Sequence, residues 1–221
     1  MLSSGDVIGE WLVEEVLGEG SMGVVFRCRE REHRAIQAAV KVARNKLTPR
    51  SLKRFYREVE LLRYLEHEAI IQFYSRGTDP DSERHWFAME LLDGMTFRER
   101  MEYGPLETGH ALAMFSRLAE GLSYAHENNV YHRDLKPSNL FLCRSGSVRI
   151  LDFGTGLATE WTPLTGDGQE VGTYAYMPPE IFCGQRYEPT LGDVYGVGLV
   201  LYEMLLGQES FLQSLPQMRM M

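Results

Sequence analysis

Several side chains able to take up protons, hold charge or bind a cation crowd into the stretch YHRDLKPSNLFLCRSGSVRILDFG: His132, Arg133, Asp134, Lys136, Asn139 and Asp152. The runs LFLC (140–143) and VRIL (148–151) read as paired strands, with RSGS as the turn between them. A hairpin of that kind brings Asp134, Asn139 and Asp152 to one end. Asn139 and Asp152 are then two oxygen acceptors for a divalent cation, facing Asp134 as a carboxylate able to receive a proton. Isolated HRD or DFG triplets occur by chance, so the elements that must position these residues carry the weight.

Upstream, a strand from Trp11 to Leu17 is broken by GEGSMG and resumes from Val24 to Arg29, spelling Gly18-x-Gly20-x-x-Gly23-x-Val25 between two strands. Glycines there let a backbone close over phosphates without side-chain collisions; a plain Gly-rich hairpin reads the same way. AAVKV (38–42) is a further strand, with Ala39 and Lys41 on one face and Val40 and Val42 on the other. A small residue beside a lysine leaves room for a flat base and supplies charge for phosphates, whereas an arbitrary lysine on a strand is a solvated edge residue. Residues 49–66 read as a helix capped by Thr48 with Pro49 at its first position. Its apolar face is Phe55, Val59, Leu62 and Leu65, and Glu58 falls inside that arc. A carboxylate there needs a partner, for which Lys41 is the candidate, while Glu66 reads as solvated.

Residues 70–75 and 85–91 read as two more strands joined by the polar turn TDPDSER. Residues 106–128 form an amphipathic helix with Ala111, Phe115, Leu118, Leu122 and Ala125 on one side, and its His110 and His126 read as surface or packing histidines. The stretch 155–177 is irregular, and residues 193–207 form a largely apolar helix.

Taken in order, GEGSMG, AAVKV, the helix bearing Glu58, MELLDG, HRDLKPSN, LDFG and GTYAYMPPE resemble the eukaryotic-type protein kinases. GEGSMGVVF and REVELLRYLEHEAII are most similar to bacterial serine/threonine kinases, and Lys136 within HRDLKPSN agrees with the serine/threonine group. The resemblance implies an α+β, two-lobed protein-kinase-like fold: a small antiparallel β lobe plus helix (residues 1–92) and a mainly helical large lobe (93–221) that is apparently incomplete. It implies transfer of the ATP γ-phosphoryl group to protein serine or threonine hydroxyls, with Mg²⁺. Asp134 and Lys136 would act at the acceptor and the phosphoryl group, with Lys41 and Glu58 as an orienting pair. Gly18, Glu19, Gly20, Ser21, Gly23, Val25, Ala39, Lys41, Met89, Glu90 and Leu92 would contact the nucleotide, with Met89 as gatekeeper; Asn139 and Asp152 would bind the metal. His132 and Phe153 would be structural, and Asp193 would hold the backbone of the catalytic loop. The alternatives are a nucleotide-binding scaffold without activity and a small-molecule phosphotransferase, which generally lacks the Gly-Thr…Pro-Glu segment. Arg133, beside the aspartate, would be matched by a phosphothreonine at Thr165, with Thr162 and Thr159 as weaker sites; Thr173 would bond near Asp134 and Lys136.

Composition sets the remaining bounds. The chain of 221 residues has 44% hydrophobic and 24% charged residues, ordinary for a globular protein. A formal net charge of −8 argues against nucleic acid as a general partner. Protein substrates and ATP are the expected partners. Three dispersed cysteines, Cys28, Cys143 and Cys183, form no metal-type pair and read as free buried thiols in a reducing compartment, hence a cytoplasmic setting. Residues 1–20 lack the basic start and apolar core of a secretory signal, and the most apolar run, 194–206, is too short to span a bilayer. Val194, Val197, Leu199, Leu201, Met204 and Leu205 make the last long helix apolar on several faces, so exposed apolar surface is expected there.

Overall fold

The computed structural model describes residues 2–20, 23–44, 48–80, 82–153, 173–182 and 186–219. Ser21, Cys183 and the threonines at 155, 159, 162 and 165 therefore lie outside the described residues, as does the side chain of Thr173. The chain divides into two compact units, Met1–Glu66 with Ile71–Asp93 and His67–Ile70 with Gly94–Met221.

The first unit is a six-stranded antiparallel sheet with one helix. Its elements are β1 (Val7–Ile8), β2 (Trp11–Glu19), β3 (Gly23–Glu30), β4 (Gln37–Ala43), α1 (Pro49–Leu62), β5 (Phe73–Thr78) and β6 (His85–Met89). The strands run in the order β1-β2-β3-β4-β6-β5. Alternation along β3, β4 and β6 sends Phe26, Cys28, Val40, Val42, Trp86 and Ala88 to one face, where Ile8, Trp11 and Val13 complete a buried cluster. The opposite face carries Val25, Ala39, Lys41, Phe87 and Met89, because Val25, Lys41 and Phe87 are register partners and so are Ala39 and Met89. Both faces of β4 are buried, so Lys41 is no solvated edge lysine.

Helix α1 begins where the sequence implies. Thr48 Oγ1 accepts from the Ser51 amide at 3.2 Å, and Pro49 takes a position whose missing N–H costs nothing. Phe55, Val59 and Leu62 are each 1% exposed, and Phe55 lies against Phe87 with ring centroids 5.3 Å apart. The helix ends at Leu62 rather than 66; Leu65 is still buried, in the turn that follows. The next strand starts at Phe73, three residues later than the pattern suggests, since Ile70 belongs to the second unit and makes an isolated bridge to Ile150 within it.

The second unit contains β7 (Gly94–Thr96), α2 (Phe97–Met101), α3 (Thr108–Glu127), β8 (Leu140–Cys143), β9 (Val148–Ile150), α4 (Pro179–Phe182), α5 (Pro189–Leu206) and α6 (Gln208–Arg219). The expected hairpin is present as β8 and β9, and β7 adds a third strand to it. Helix α2 opens on a reciprocal cap in which the Glu99 amide donates to Thr96 Oγ1 and the Thr96 amide donates to Glu99. Helix α3 buries Ala111, Phe115, Leu118, Leu122 and Ala125, the face its spacing marks out.

Helix α5 is the buried axis of this unit. Leu199, Val200 and Met204 lie in the core, each stabilising it by about 1.5–3 kcal/mol by area removed from water. Gly196 lets the loop pack closely there, since a Cβ would sit a tight 3.0 Å from that of Leu135. The expected apolar surface is partly realised. Leu191, Val194, Tyr202 and Leu206 are exposed on α5, while Leu199 and Met204 are buried. Among the cysteines, Cys28 is buried and free, with burial pushing its thiol pKa up to about 12, but Cys143 is only half-buried, at variance with the expectation for all three.

Candidate active site

In the first unit the Lys41 ammonium donates to both Glu58 oxygens, at 2.8 and 3.0 Å. The side chains are 9% and 1% exposed, and Nζ lies 5.7 Å from the centre of the Phe87 ring. Burial explains the pairing: a carboxylate on the apolar face of α1 is tolerated because a cation from β4 meets it. Met89 and Ala39 share the sheet face of Lys41. Beyond β6, the Glu90 amide donates to the Gln72 carbonyl at 2.8 Å, so this N–H is committed within the protein; Leu92 lies in the irregular segment after it.

The glycine-bearing turn joins β2 to β3, where Gly18 pairs with Val25 and Glu19 with Val24. Its glycines have different reasons. A Cβ on Gly23 would lie 2.4 Å from the Val42 carbonyl oxygen, so strand packing alone demands glycine. Gly18 has nothing within 4 Å and Gly20 only the Gly23 carbonyl, 3.9 Å away. Among the described residues no neighbour requires glycine at those two positions, which leaves room there for a close backbone approach. The turn is held by the Gly20 amide donating to the Gly23 carbonyl and by Arg44 Nε donating to the Gly20 carbonyl, at 2.9 and 3.1 Å.

In the second unit, Asp193 of α5 organises the loop before β8. Its Oδ2 accepts from the His132 amide at 2.8 Å and its Oδ1 from the Arg133 amide at 2.7 Å, while His126 Nε2 lies 2.9 Å from Oδ2. Asp193 is 1% exposed. These bonds hold Arg133 in a left-handed conformation, φ 66°. His132 is fully buried; its Nε2 donates to the Leu151 carbonyl at 2.7 Å and its Nδ1 accepts from the Asp134 amide at 3.2 Å. The His132 ring lies 5.0 Å from that of Phe153, consistent with the structural role expected for both.

Asp134 emerges from this scaffold with its carboxylate engaged by Lys136 Nζ at 3.1 Å and Asn139 Nδ2 at 3.3 Å. The same Nδ2 donates to the Asp134 carbonyl at 2.8 Å, which leaves the Asn139 amide oxygen as the atom able to ligate a cation. The Leu151 amide donates to the Asn139 carbonyl at 2.9 Å, tying the residue before Asp152 to Asn139. Asp152 itself has φ 52°. Among the described residues no three His, Cys, Asp or Glu side chains form a metal-binding group. Mg²⁺ bound with a nucleotide needs only one or two protein oxygens, the rest coming from phosphates and water, so Asn139 and Asp152 fit it as a donor pair. Arg133 lies 5.7 Å from the Tyr131 ring centre, and its Nε has no hydrogen-bond partner among the described residues.

A family model for the protein kinase domain matches residues 11–220. The chain belongs to the protein kinase family. It is 34% identical over 217 residues to the serine/threonine-protein kinase PknJ of Mycobacterium tuberculosis, an alignment covering 95% of this chain and 36% of that protein. It is 33% identical over 210 residues to the serine/threonine-protein kinase PknB of Mycolicibacterium smegmatis, covering 91% and 33%. The PknB of Mycobacterium leprae is 33% identical over 209 residues, with the same coverage. The chain thus spans about a third of the length of these curated relatives. The α+β kinase fold expected from the motifs is shown both by the family match and by the antiparallel sheet with its helix and the mainly helical second unit. No described helix is long and apolar enough to cross a membrane.

Some site residues escaped the motif reading. Of the surface and packing roles expected, His126 takes the packing one, and its partner is what the motifs did not give: its side chain is 15% exposed and bonded to Asp193. The signal was its position one residue past Ala125 on the buried face of α3, which aims it at whatever α3 packs on. His110, in contrast, is exposed, as expected. Replacing Asp193 by Ala would leave the buried His132 amide and the Arg133 amide without their acceptor, at about 1–3 kcal/mol each. Asp193→Ala is therefore expected to lower the denaturant midpoint substantially, and a midpoint equal to that of the unaltered chain would refute this role.

Proposed function

We propose that the chain is a protein serine/threonine kinase domain that transfers the γ-phosphoryl group of ATP to serine or threonine hydroxyls of protein substrates, with Mg²⁺. The observation that carries this reading is the seating of Asp134: a carboxylate on a loop locked by Asp193, with Lys136 and Asn139 as its neighbours. The relatives' name, serine/threonine-protein kinase, supports the acceptor class.

In this mechanism Asp134 orients the acceptor hydroxyl and takes up its proton as the phosphoryl group arrives. Lys136 steadies the negative charge of the group in transit. Lys41, oriented by Glu58, pairs with the nucleotide's phosphates, and the backbone around Gly18, Gly20 and Gly23 covers them. Val25, Ala39 and Met89 present an apolar surface for the adenine ring. Asn139 and Asp152 are the residues that would hold Mg²⁺, which when bound neutralises charge on the phosphate oxygens. Such catalysis rests on positioning and electrostatics, so loss of any of these groups is felt in the rate.

The test is phosphate transfer from Mg-ATP to a generic basic protein, set beside a thermal melt. A ligand at a hundredfold excess over its dissociation constant stabilises the folded state by about 2.7 kcal/mol, so the melting temperature should rise with Mg-ATP. An unmoved melting temperature in a folded sample would sink the nucleotide site. A rise without phosphate transfer would leave the chain as a nucleotide-binding scaffold.

A further inference from the structure

Arg98 belongs to none of the motifs above. It lies on α2, where its Nη1 donates to Glu203 Oε1 of α5 at 2.9 Å and its Nη2 donates to the Tyr176 hydroxyl at 2.6 Å. The Tyr176 hydroxyl in turn donates to Glu203 Oε2, closing a triangle of guanidinium, phenol and carboxylate. Glu203 is 1% and Tyr176 6% exposed. On its other side the Tyr176 ring stacks on that of the fully buried Phe211 of α6, centroids 5.9 Å apart and planes 16° apart. Three helices thus grip one side chain.

The chemistry of the triangle requires an arginine. Its planar fork sends separate N–H groups to two acceptors at once, which the single ammonium of lysine does less well. Burial, with the hydrogen bond and charge of Glu203, pushes the Tyr176 pKa up against the opposing effect of Arg98, so the hydroxyl stays protonated and able to donate. Burial alone would lower the Arg98 pKa, but Tyr176 and Glu203 outweigh it and the net shift is upward.

Tyr176 ends the 3₁₀ turn Thr173–Tyr176, and with Met177 and Pro178 it forms one wall of a small pocket. Asp134 and Leu135 line the same pocket. The triangle therefore stands behind a pocket wall beside the carboxylate that the proposed mechanism uses.

We propose that Arg98 is a positioning residue for the phosphoryl acceptor: acting through Tyr176, it holds the 176–178 wall where a residue next to the acceptor hydroxyl is seated beside Asp134. The proposal rests on the kinase reading. Arg98→Ala leaves the buried Glu203 without its cation and risks misfolding, so the informative variant is Tyr176→Phe. It keeps the ring, the stack on Phe211 and the Arg98–Glu203 pair, and removes only the hydroxyl link.

Phosphate transfer to a basic protein acceptor is measured with each substrate varied in turn. Tyr176→Phe is expected to raise KM for the acceptor about tenfold while KM for ATP stays within about twofold. Arg98→Lys, which retains charge beside Glu203 but not the fork, is expected to fall between the two. Hydrogen exchange at amides 173–177 should quicken in both variants, with α3 unchanged, a readout independent of activity. Normal transfer with unchanged acceptor KM and unchanged exchange in Tyr176→Phe would overturn the role of Arg98. Parallel rises in KM for acceptor and ATP would also overturn it, as the signature of a general structural effect. Absence of transfer by the unaltered chain would instead overturn the kinase reading, and the acceptor role with it.

Discussion

Asp134→Asn is expected to lower turnover by at least about a hundredfold while leaving Mg-ATP affinity within about fewfold of the unaltered chain. The amide has the shape of the carboxylate, and its oxygen still accepts from Lys136 Nζ and Asn139 Nδ2, which lie 3.1 and 3.3 Å from Asp134 Oδ2. The loop also hangs on Asp193, through the amides of His132 and Arg133, and the substitution does not touch those bonds. What disappears is the capacity to receive a proton. Steady-state transfer kinetics and the melting-temperature rise with Mg-ATP are the paired measurements. Near-normal turnover would show that Asp134 does not act on the acceptor hydroxyl.

The second large effect is expected at Lys41. Lys41→Met removes the cation that donates at 2.8 and 3.0 Å to Glu58, a residue 1% exposed. Removing one partner of a buried pair typically costs about 3–5 kcal/mol, so the variant should melt well below the unaltered chain and lose phosphate transfer. Stability and activity are separated by Lys41→Met combined with Glu58→Leu. Apolar replacement of both partners is often neutral, so the double variant should regain most of the melting temperature and none of the activity. Recovery of transfer in the double variant would reduce Lys41 to a structural ion-pair partner.

Much of this site was legible beforehand for local reasons. Thr48 followed by Pro49 specifies a helix start through short-range hydrogen bonding and a fixed φ, and α1 begins there. Glu58 among Phe55, Val59 and Leu62 announces a buried carboxylate, and a buried carboxylate announces a cation; Lys41 supplies it. The hairpin of β8 and β9 follows from two short apolar runs about a Gly-containing turn. The ends of elements were less legible. Residues 63–66 and 70–72 continue the helical and strand patterns of their neighbours, yet Ile70 is drawn into a bridge with Ile150 and β5 starts only at Phe73. Tertiary pairing overrode local preference there.

By itself the sequence determined the family, the main strands and the long helices, and the identity of the groups around Asp134, because each depends on residue types at short spacing; the short elements β1, β7, α2 and α4 and the helix α6 carry no such local signal. Asp193 follows from the kinase resemblance, but only the tertiary structure decided which further distant side chains complete that environment. His126 and Asp193 are far apart in the chain, and so are Arg98, Tyr176 and Glu203. No periodicity links them; they meet because α3 and the turn bearing Tyr176 pack on α5, and the Arg98 side chain reaches across from α2. Glu203 illustrates the difference. Along the sequence it is one charge near the end of an apolar helix. In the folded unit it is 1% exposed, and a carboxylate so placed is sustained by the guanidinium of Arg98 and the hydroxyl of Tyr176 arriving from elsewhere in the chain.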